Sequence, residues 1–216
     1  MVKTVTAAEM KERERAANEA GLLYIQMMEN AGRAAYAELK RRVPALRRLL
    51  IVAGKGNNGG DGFVMARVAA KEGVQVRVLL AEGEPKTADA KTNLARLAET
   101  AAEIVRDTEQ AAFGADAVVD ALYGTGFHGE LRPDGAAACA LMGRERERGA
   151  FVLALDLPSG ISADSGEVAE GAVQADATVT FDCTKPLHFA KASKPLCGAL
   201  VCADIGIGKA LGEHET

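Results

Sequence analysis

Three short runs of nearly unbroken apolar residues constrain this chain more than any other feature: Leu49-Leu50-Ile51-Val52-Ala53, Ala117-Val118-Val119-Asp120-Ala121 and Phe151-Val152-Leu153-Ala154-Leu155. Runs this short and this apolar have no face to offer water, so they read as strands buried on both sides of a parallel sheet. The stretches between them carry helical signals, at about residues 61–72, 87–100 and 136–148. Further strands are predicted over residues 74–80, 103–105, 177–181 and 199–203. Gln75 and Arg77 alternate with the valines of the first of these and place it nearer a sheet edge. The last two have only a loop or short turn between them.

Ahead of the first run lies a helical preface. Thr6 and Glu9 have the spacing of a capping box, and the helix they open reaches about Glu19, before Gly21. A second helix follows, carrying Leu22, Ile25, Met27, Met28, Ala31, Ala35 and Leu39, until Pro44 stops it; Met27 and Met28 read as core filler. Strands alternating with helices predict an α/β, Rossmann-like three-layer sandwich, with a mostly parallel central sheet, helices on both faces and an N-terminal helical extension. No repeat or linker divides the 216 residues, which are expected to form a single domain, 1–216.

Composition narrows the function. Lys plus Arg number 26 against 30 Asp plus Glu, a net charge of −4, which lacks the basic excess of a nucleic-acid-binding domain. No apolar run approaches the ~20 residues of a membrane span, and residues 1–21 have neither an apolar signal core nor the acid-poor composition of a transit peptide. A cytoplasmic protein is expected. Cys139, Cys183, Cys197 and Cys202 have no metal-ligand spacing and read as small buried hydrophobes.

Ligands of open parallel sheets bind beyond the carboxyl ends of the strands, and three of the strands here end in unusual loops. The first loop, Gly54-Lys55-Gly56-Asn57-Asn58-Gly59-Gly60-Asp61-Gly62, runs into a helix and suits an anion, although no Gly-Lys-Ser/Thr follows as in a Walker A loop. In it Asp61 reads as a possible helix cap. The second, Gly124-Thr125-Gly126-Phe127-His128-Gly129, has the G-x-G-x-x-G spacing but follows the wrong strand for a dehydrogenase, and Pro133 and further loop separate it from the next helix. It reads as a backbone cradle for phosphate. The third is Asp156-Leu157-Pro158-Ser159-Gly160. Asp120 and Asp156 close apolar strands, where an acid needs a cation or donors. With Asn58 and Ser159 they suggest an oxygen-rich cation pocket, while spacing leaves cation ligand, ribose contact, general base and loop cap all open. Lys185 is read equally as a charge for the ligand and as a solvated side chain. His128 sits in the second loop without an assigned role, and His188 and His214 have no evident partner.

Met28-Glu29-Asn30-Ala31-Gly32, Gly56 to Gly62, Asp120 to Gly126, Asp156 to Gly160 and Ala203-Asp204-Ile205-Gly206-Ile207 occur together in an order that resembles the NAD(P)H-hydrate epimerases, the YjeF N-terminal domain family. The resemblance spans about Thr4 to Gly208 and implies the stand-alone form, without the fused dehydratase of larger relatives. It implies an isomerase that interconverts the R and S hydrates of NADH and NADPH, alongside a separate dehydratase and as a homodimer. By the same resemblance Asn57, Asn58, Gly59, Gly60, Asp61, Gly124, Thr125, Gly126, Phe127, His128, Gly129, Glu130 and Asp156 contact the substrate. Asp156 is the proton-transfer residue, and Asn58, Asp120 and Ser159 hold a potassium ion, K+. The chain departs from the family where Asp182-Cys183-Thr184-Lys185-Pro186 replaces a glycine-led run, so backbone geometry is expected to differ there. The competing readings are a non-catalytic nucleotide- or protein-binding module of the same fold and an ordinary nicotinamide-dependent oxidoreductase; the second lacks the first-strand glycine fingerprint.

Overall fold

The computed structural model describes residues 3–213, so His214 lies outside the described residues. Its seven strands are β1 (Arg48–Ala53), β2 (Gln75–Leu80), β3 (Glu103–Val105), β4 (Ala117–Ala121), β5 (Phe151–Leu155), β6 (Ala177–Phe181) and β7 (Ala199–Ala203). They form one sheet in the order β3-β2-β1-β4-β5-β6-β7, every neighbouring pair parallel. The mostly parallel expectation is thus met in full among the described residues, and β2 lies one strand in from the edge.

Side chains that alternate along each strand supply two separate cores. Leu49, Ile51 and Ala53 of β1 point to the layer of α1 (Ala7–Glu19), α2 (Tyr24–Arg42), α3 (Asn57–Lys71), α4 (Ala88–Leu97) and α7 (Ile207–Ala210). Leu50 and Val52 point to the opposite layer, built from α5 (Thr108–Ala111) and α6 (Pro133–Glu147). The chain builds outward from β1 to β3, then returns to place β4 on the other side of β1. The carboxyl ends of β1 and β4 therefore diverge into a crevice at this reversal of strand order.

Two helices begin earlier than the sequence suggests. α3 starts at Asn57, not Asp61, and Asp61 lies in its second turn and is no cap. The glycines that read as a flexible loop are packing sites instead: a Cβ on Gly59 would sit 2.2 Å from the Gly54 carbonyl oxygen, and one on Gly60 would sit 2.5 Å from Met28 Sδ. α6 starts at Pro133, which occupies the first helical turn, where its missing N–H costs nothing. Between β6 and β7 the loop contains two short 3₁₀ turns, Pro186–His188 and Lys194–Leu196.

The motif from Met28 to Gly32 positions α3 rather than a ligand. A Cβ on Gly32 would meet Val64 Cβ at 2.6 Å, so α2 and α3 are in backbone contact there. Asn30 Nδ2 donates to the Ile205 carbonyl at 2.8 Å, which joins this motif to the one at residues 203–207. Three of the cysteines are buried and all four are free. No described helix is long and apolar enough to cross a membrane.

Candidate active site

The crevice floor is organised around the Tyr123 peptide. Asn58 Nδ2 donates to the Tyr123 carbonyl at 2.8 Å, and the Tyr123 N–H donates to Ser159 Oγ at 2.9 Å. Ser159 Oγ in turn donates to Asp120 Oδ1 at 2.6 Å, and the Ser159 N–H donates to Oδ2 at 2.7 Å. Asp120 and Ser159 are fully buried, and burial pushes the Asp120 carboxyl up to about 6, against the pull of the Ser159 hydrogen bonds. Asn58 Oδ1 is buried and has no hydrogen-bond partner among the described residues. An orphaned amide oxygen costs about 1–3 kcal/mol unless something fills it, and a cation does so. Asn58, Asp120 and Ser159, suspected from sequence, thus meet around one peptide.

Asp156 leaves β5 with φ +65°, a left-handed conformation uncommon for a residue other than glycine. Its N–H donates to the Val179 carbonyl at 2.7 Å, which fixes the turn against β6. Lys185 Nζ donates to Asp156 Oδ1 and, at 2.9 Å, to Thr180 Oγ1. Lys185 is 1% exposed, which excludes the solvated reading. His188, unassigned from sequence, clamps the pair from behind. Its Nδ1 accepts the Lys185 N–H at 3.0 Å, so the proton belongs on Nε2, which donates to the Asp156 carbonyl at 3.0 Å.

That tautomer is neutral, and burial pushes the imidazole down to about 4 from its ordinary 6.5. A histidine depressed in the folded state contributes stability that is present above about pH 6.5 and lost as pH falls toward 4. The slope in that window is at most about 1.4 kcal/mol per pH unit. Replacing His188 with Gln, which offers an oxygen and an N–H of its own, is expected to flatten it. Denaturant midpoints across the window check this, and an unchanged slope would assign the titration to another group.

Asp182, which stands where the resemblance has a glycine, takes φ +60°, a left-handed conformation that favours glycine. It is held there by Arg13 Nε, which donates to its carboxylate at 2.8 Å, and by the Cys183 thiol at 3.0 Å.

Two cavities open from the crevice and share Asn57, Asn58, Thr87 and the segment 124–126. The first, about 610 Å³, holds Asp156, Lys185, Asp61 and, from α1, Glu14. Burial together with the charge of Asp156 pushes the Glu14 carboxyl up to about 7 and that of Asp61 well above its usual range. The second, about 710 Å³, is lined by Lys55, Lys86, Phe127, His128, Glu130 and Arg132 among others. Lys55 and Lys86 have no carboxylate at ion-pair distance among the described residues, whereas Arg132 is engaged by Glu82 at 3.2 Å.

Most predicted contacts therefore lie on one continuous cleft: Asn57, Asn58, Asp61, Gly124, Thr125, Gly126, Phe127, His128, Glu130 and Asp156. Gly59, Gly60 and Gly129 line neither cavity. Gly60 faces Met28 with its N–H bonded to the Gly56 carbonyl at 3.3 Å, and Gly129 serves a turn with φ +77°. Sequence reasoning missed Glu14, Thr87 and His188. Thr87 Oγ1 is buried at the junction of the two cavities without a hydrogen-bond partner among the described residues. For Glu14 a signal existed, since Met10, Glu14 and Ala17 fall on one helical face and the other two are buried.

The family of YjeF-related protein N-termini matches residues 24–187. An NAD(P)H-hydrate epimerase of Pirellula staleyi is 41% identical over 207 residues, covering 90% of this chain and 88% of its own. A bifunctional NAD(P)H-hydrate repair enzyme Nnr of Coxiella burnetii is 37% identical over 202 residues, 93% of this chain. Our chain spans 41% of that relative's length. The yeast protein YNL200c has the same fold, with a TM-score of 0.76 over 94% of this chain and 88% of its own at 20% identity.

Proposed function

The chain belongs to the family of YjeF-related protein N-termini, and on that premise we propose that it is an NAD(P)H-hydrate epimerase, acting on both NADHX and NADPHX. The reaction interconverts the R and S hydrates, which carry a hydroxyl at C6 of the damaged nicotinamide ring. One observation carries the reading: a buried carboxylate–ammonium pair, Asp156 and Lys185, faces a cavity continuous with a cleft lined by two glycine-rich loops.

C6 bears both the ring nitrogen and the hydroxyl. The nitrogen lone pair forms a C6–N double bond as the C–O bond breaks, and water adds to the opposite face of the planar iminium. The protein's part is to place acids and bases at the two oxygens and to hold the ring still. Asp156, oriented by Lys185 and Thr180 and fixed at its carbonyl by His188, takes or gives one of those protons. The N–H groups of Asn57, Asn58 and Gly59 precede the first intrahelical bond of α3 and suit the anionic part of the nucleotide. Lys55 and Lys86, with no carboxylate at ion-pair distance among the described residues, suit its pyrophosphate in the second cavity.

The donor set at the floor fits a potassium ion. It comprises the unpartnered Asn58 Oδ1, a carboxylate oxygen of Asp120 and the Ser159 hydroxyl, all oxygen as a hard cation prefers. When bound, the ion supplies positive charge that ties the three loops together beneath an anionic ligand. The protein acts as one domain over residues 1–216 in a cytoplasmic setting. It works beside a separate dehydratase and as a homodimer, for which Leu23, 58% exposed at the head of α2, is a candidate contact.

The test starts from pure R hydrate of NADH in potassium buffer near neutral pH, with the epimers resolved by chromatography. The wild-type protein is expected to bring the mixture to equilibrium far faster than buffer, and Asp156→Asn to lose about 10²–10⁴ of that rate. Folded wild-type protein that gives no acceleration would return the chain to the binding-module class.

A further inference from the structure

We propose that Glu14, on the N-terminal helix, is a second proton-transfer residue of this site, serving the C6 oxygen on the ring face opposite Asp156. This rests on the epimerase reading and extends it to a residue outside the matched family span of 24–187.

Geometry carries it. α1 forms one wall of the first cavity and the ends of β5 and β6 form another, and Glu14 and Asp156 line it from these two sides. An exchange of hydroxyl between the two faces of a planar ring needs a proton carrier on each, and one carboxylate cannot reach both. Glu14 makes no hydrogen bond or ion pair among the described residues, although it lies on the inward stripe of its helix with Met10 and Ala17. A carboxylate in that position gains nothing for the fold, whereas every other acid on α1, Glu9, Glu12 and Glu19, is capped or paired.

The wall is also rigidly mounted. Lys3 and Val5 exchange backbone hydrogen bonds with Thr184 at 2.9 Å, and the Ala7 N–H donates to Asp164 Oδ1 at 2.7 Å. Arg13, next to Glu14, pairs with Asp182 at 2.8 Å and Glu213 at 2.7 Å. The loop that carries Lys185 thus also sets the position of Glu14.

The protons balance. In one direction the Glu14 carboxyl gives its proton to the departing hydroxyl, which leaves as water while the ring becomes an iminium. Water then adds from the Asp156 side and its proton passes to the Asp156 carboxylate. The reverse direction exchanges the two roles. An acid at neutral pH must hold its proton there, and burial with Asp156 and Asp182 nearby raises Glu14 to about 7 against the opposing charges of Lys185 and Lys11. Asp61 and Asp89, also on this cavity from α3 and α4, add negative charge whenever ionised.

Steady-state rates for the R hydrate of NADH, measured across pH in wild type, Glu14→Gln and Glu14→Asp, test the assignment. Glu14→Gln is expected to lose about 10²–10³ in kcat with KM little changed, and the limb of the pH profile near 7 should vanish with it. Glu14→Asp should recover at least about tenfold of the lost rate. Glu14→Gln relieves a half-buried charge, so its unfolding midpoint at pH 8 should equal or exceed wild type, which separates lost chemistry from lost fold. A Glu14→Gln enzyme with near wild-type kcat, a loss confined to KM, or a persisting limb near pH 7 would overturn the role of Glu14 alone. Absence of acceleration by the wild-type protein would overturn the epimerase reading, and this role with it.

Discussion

Lys185→Met should abolish measurable epimerisation and destabilise the protein by about 3 kcal/mol at neutral pH. Lys185 is fully buried, and the Asp156 side chain it compensates is only 14% exposed. Methionine restores most of the volume but leaves a carboxylate facing the cavity with Thr180 as its remaining side-chain donor. The cost is therefore electrostatic and conditional on Asp156. Adding Asp156→Asn to Lys185→Met should recover more than about 1 kcal/mol, because neighbouring members of one network do not add. Denaturant unfolding of the two singles and the double measures that coupling. Additive singles would mean that the two residues are not coupled and that the cost of Lys185→Met lies with its other partners, Thr180 and the Phe181 carbonyl.

A pair of glycines in the first loop offers the second large effect, by contrast within one turn of chain. A Cβ on Gly59 would fall 2.2 Å from the Gly54 carbonyl oxygen, and Gly54 is itself wedged, 1.9 Å separating its would-be Cβ from the Leu122 carbonyl. Backbone lies on both sides, so nothing can rotate away. Gly59→Ala must push α3 off β1, at about 3 kcal/mol or more, and should displace Asn58 from Tyr123 as it does. Gly56→Ala meets nothing within 4 Å, and its φ of −93° suits alanine. Gly56 is the N-cap of α3, so alanine there should cost about 0.5–1 kcal/mol, well short of the Gly59 loss, while nucleotide affinity falls because the new methyl enters the cleft. Equal unfolding midpoints for the two variants would refute the packing role of Gly59.

The same glycines show where a sequence is legible and where it is not. Strands β1, β4, β5 and β6 lie where their apolar runs lie, because burial on both faces leaves short apolar runs bounded by turn residues. The start of α3 was hidden, since glycine serves loops and close helix packing alike, and only the neighbouring backbone distinguishes them. Asn58, Asp120, Asp156 and Ser159 were visible because each breaks an apolar or glycine-rich run at a strand end. Lys185 was half visible and His188 was not, because their partners are Asp156 and its carbonyl, about thirty residues earlier in the chain. The N-terminal preface read as an appendage to the sheet, yet α1 walls the cavity.

The contact between Thr4 and Thr184, 180 positions apart, also orders events during synthesis. A ribosome adding about 5–20 residues per second releases β1, β2 and β4 well before residue 184, and these strands can begin to pair as they emerge. α1 leaves before them, but its anchors at Asp164, Asp182 and Thr184 follow all three strands. Until those anchors emerge α1 is thus without its final seat, and its inward face, Met10 and Ala17, waits uncovered. The first cavity is closed by an earlier segment docking onto one made some 160 residues later.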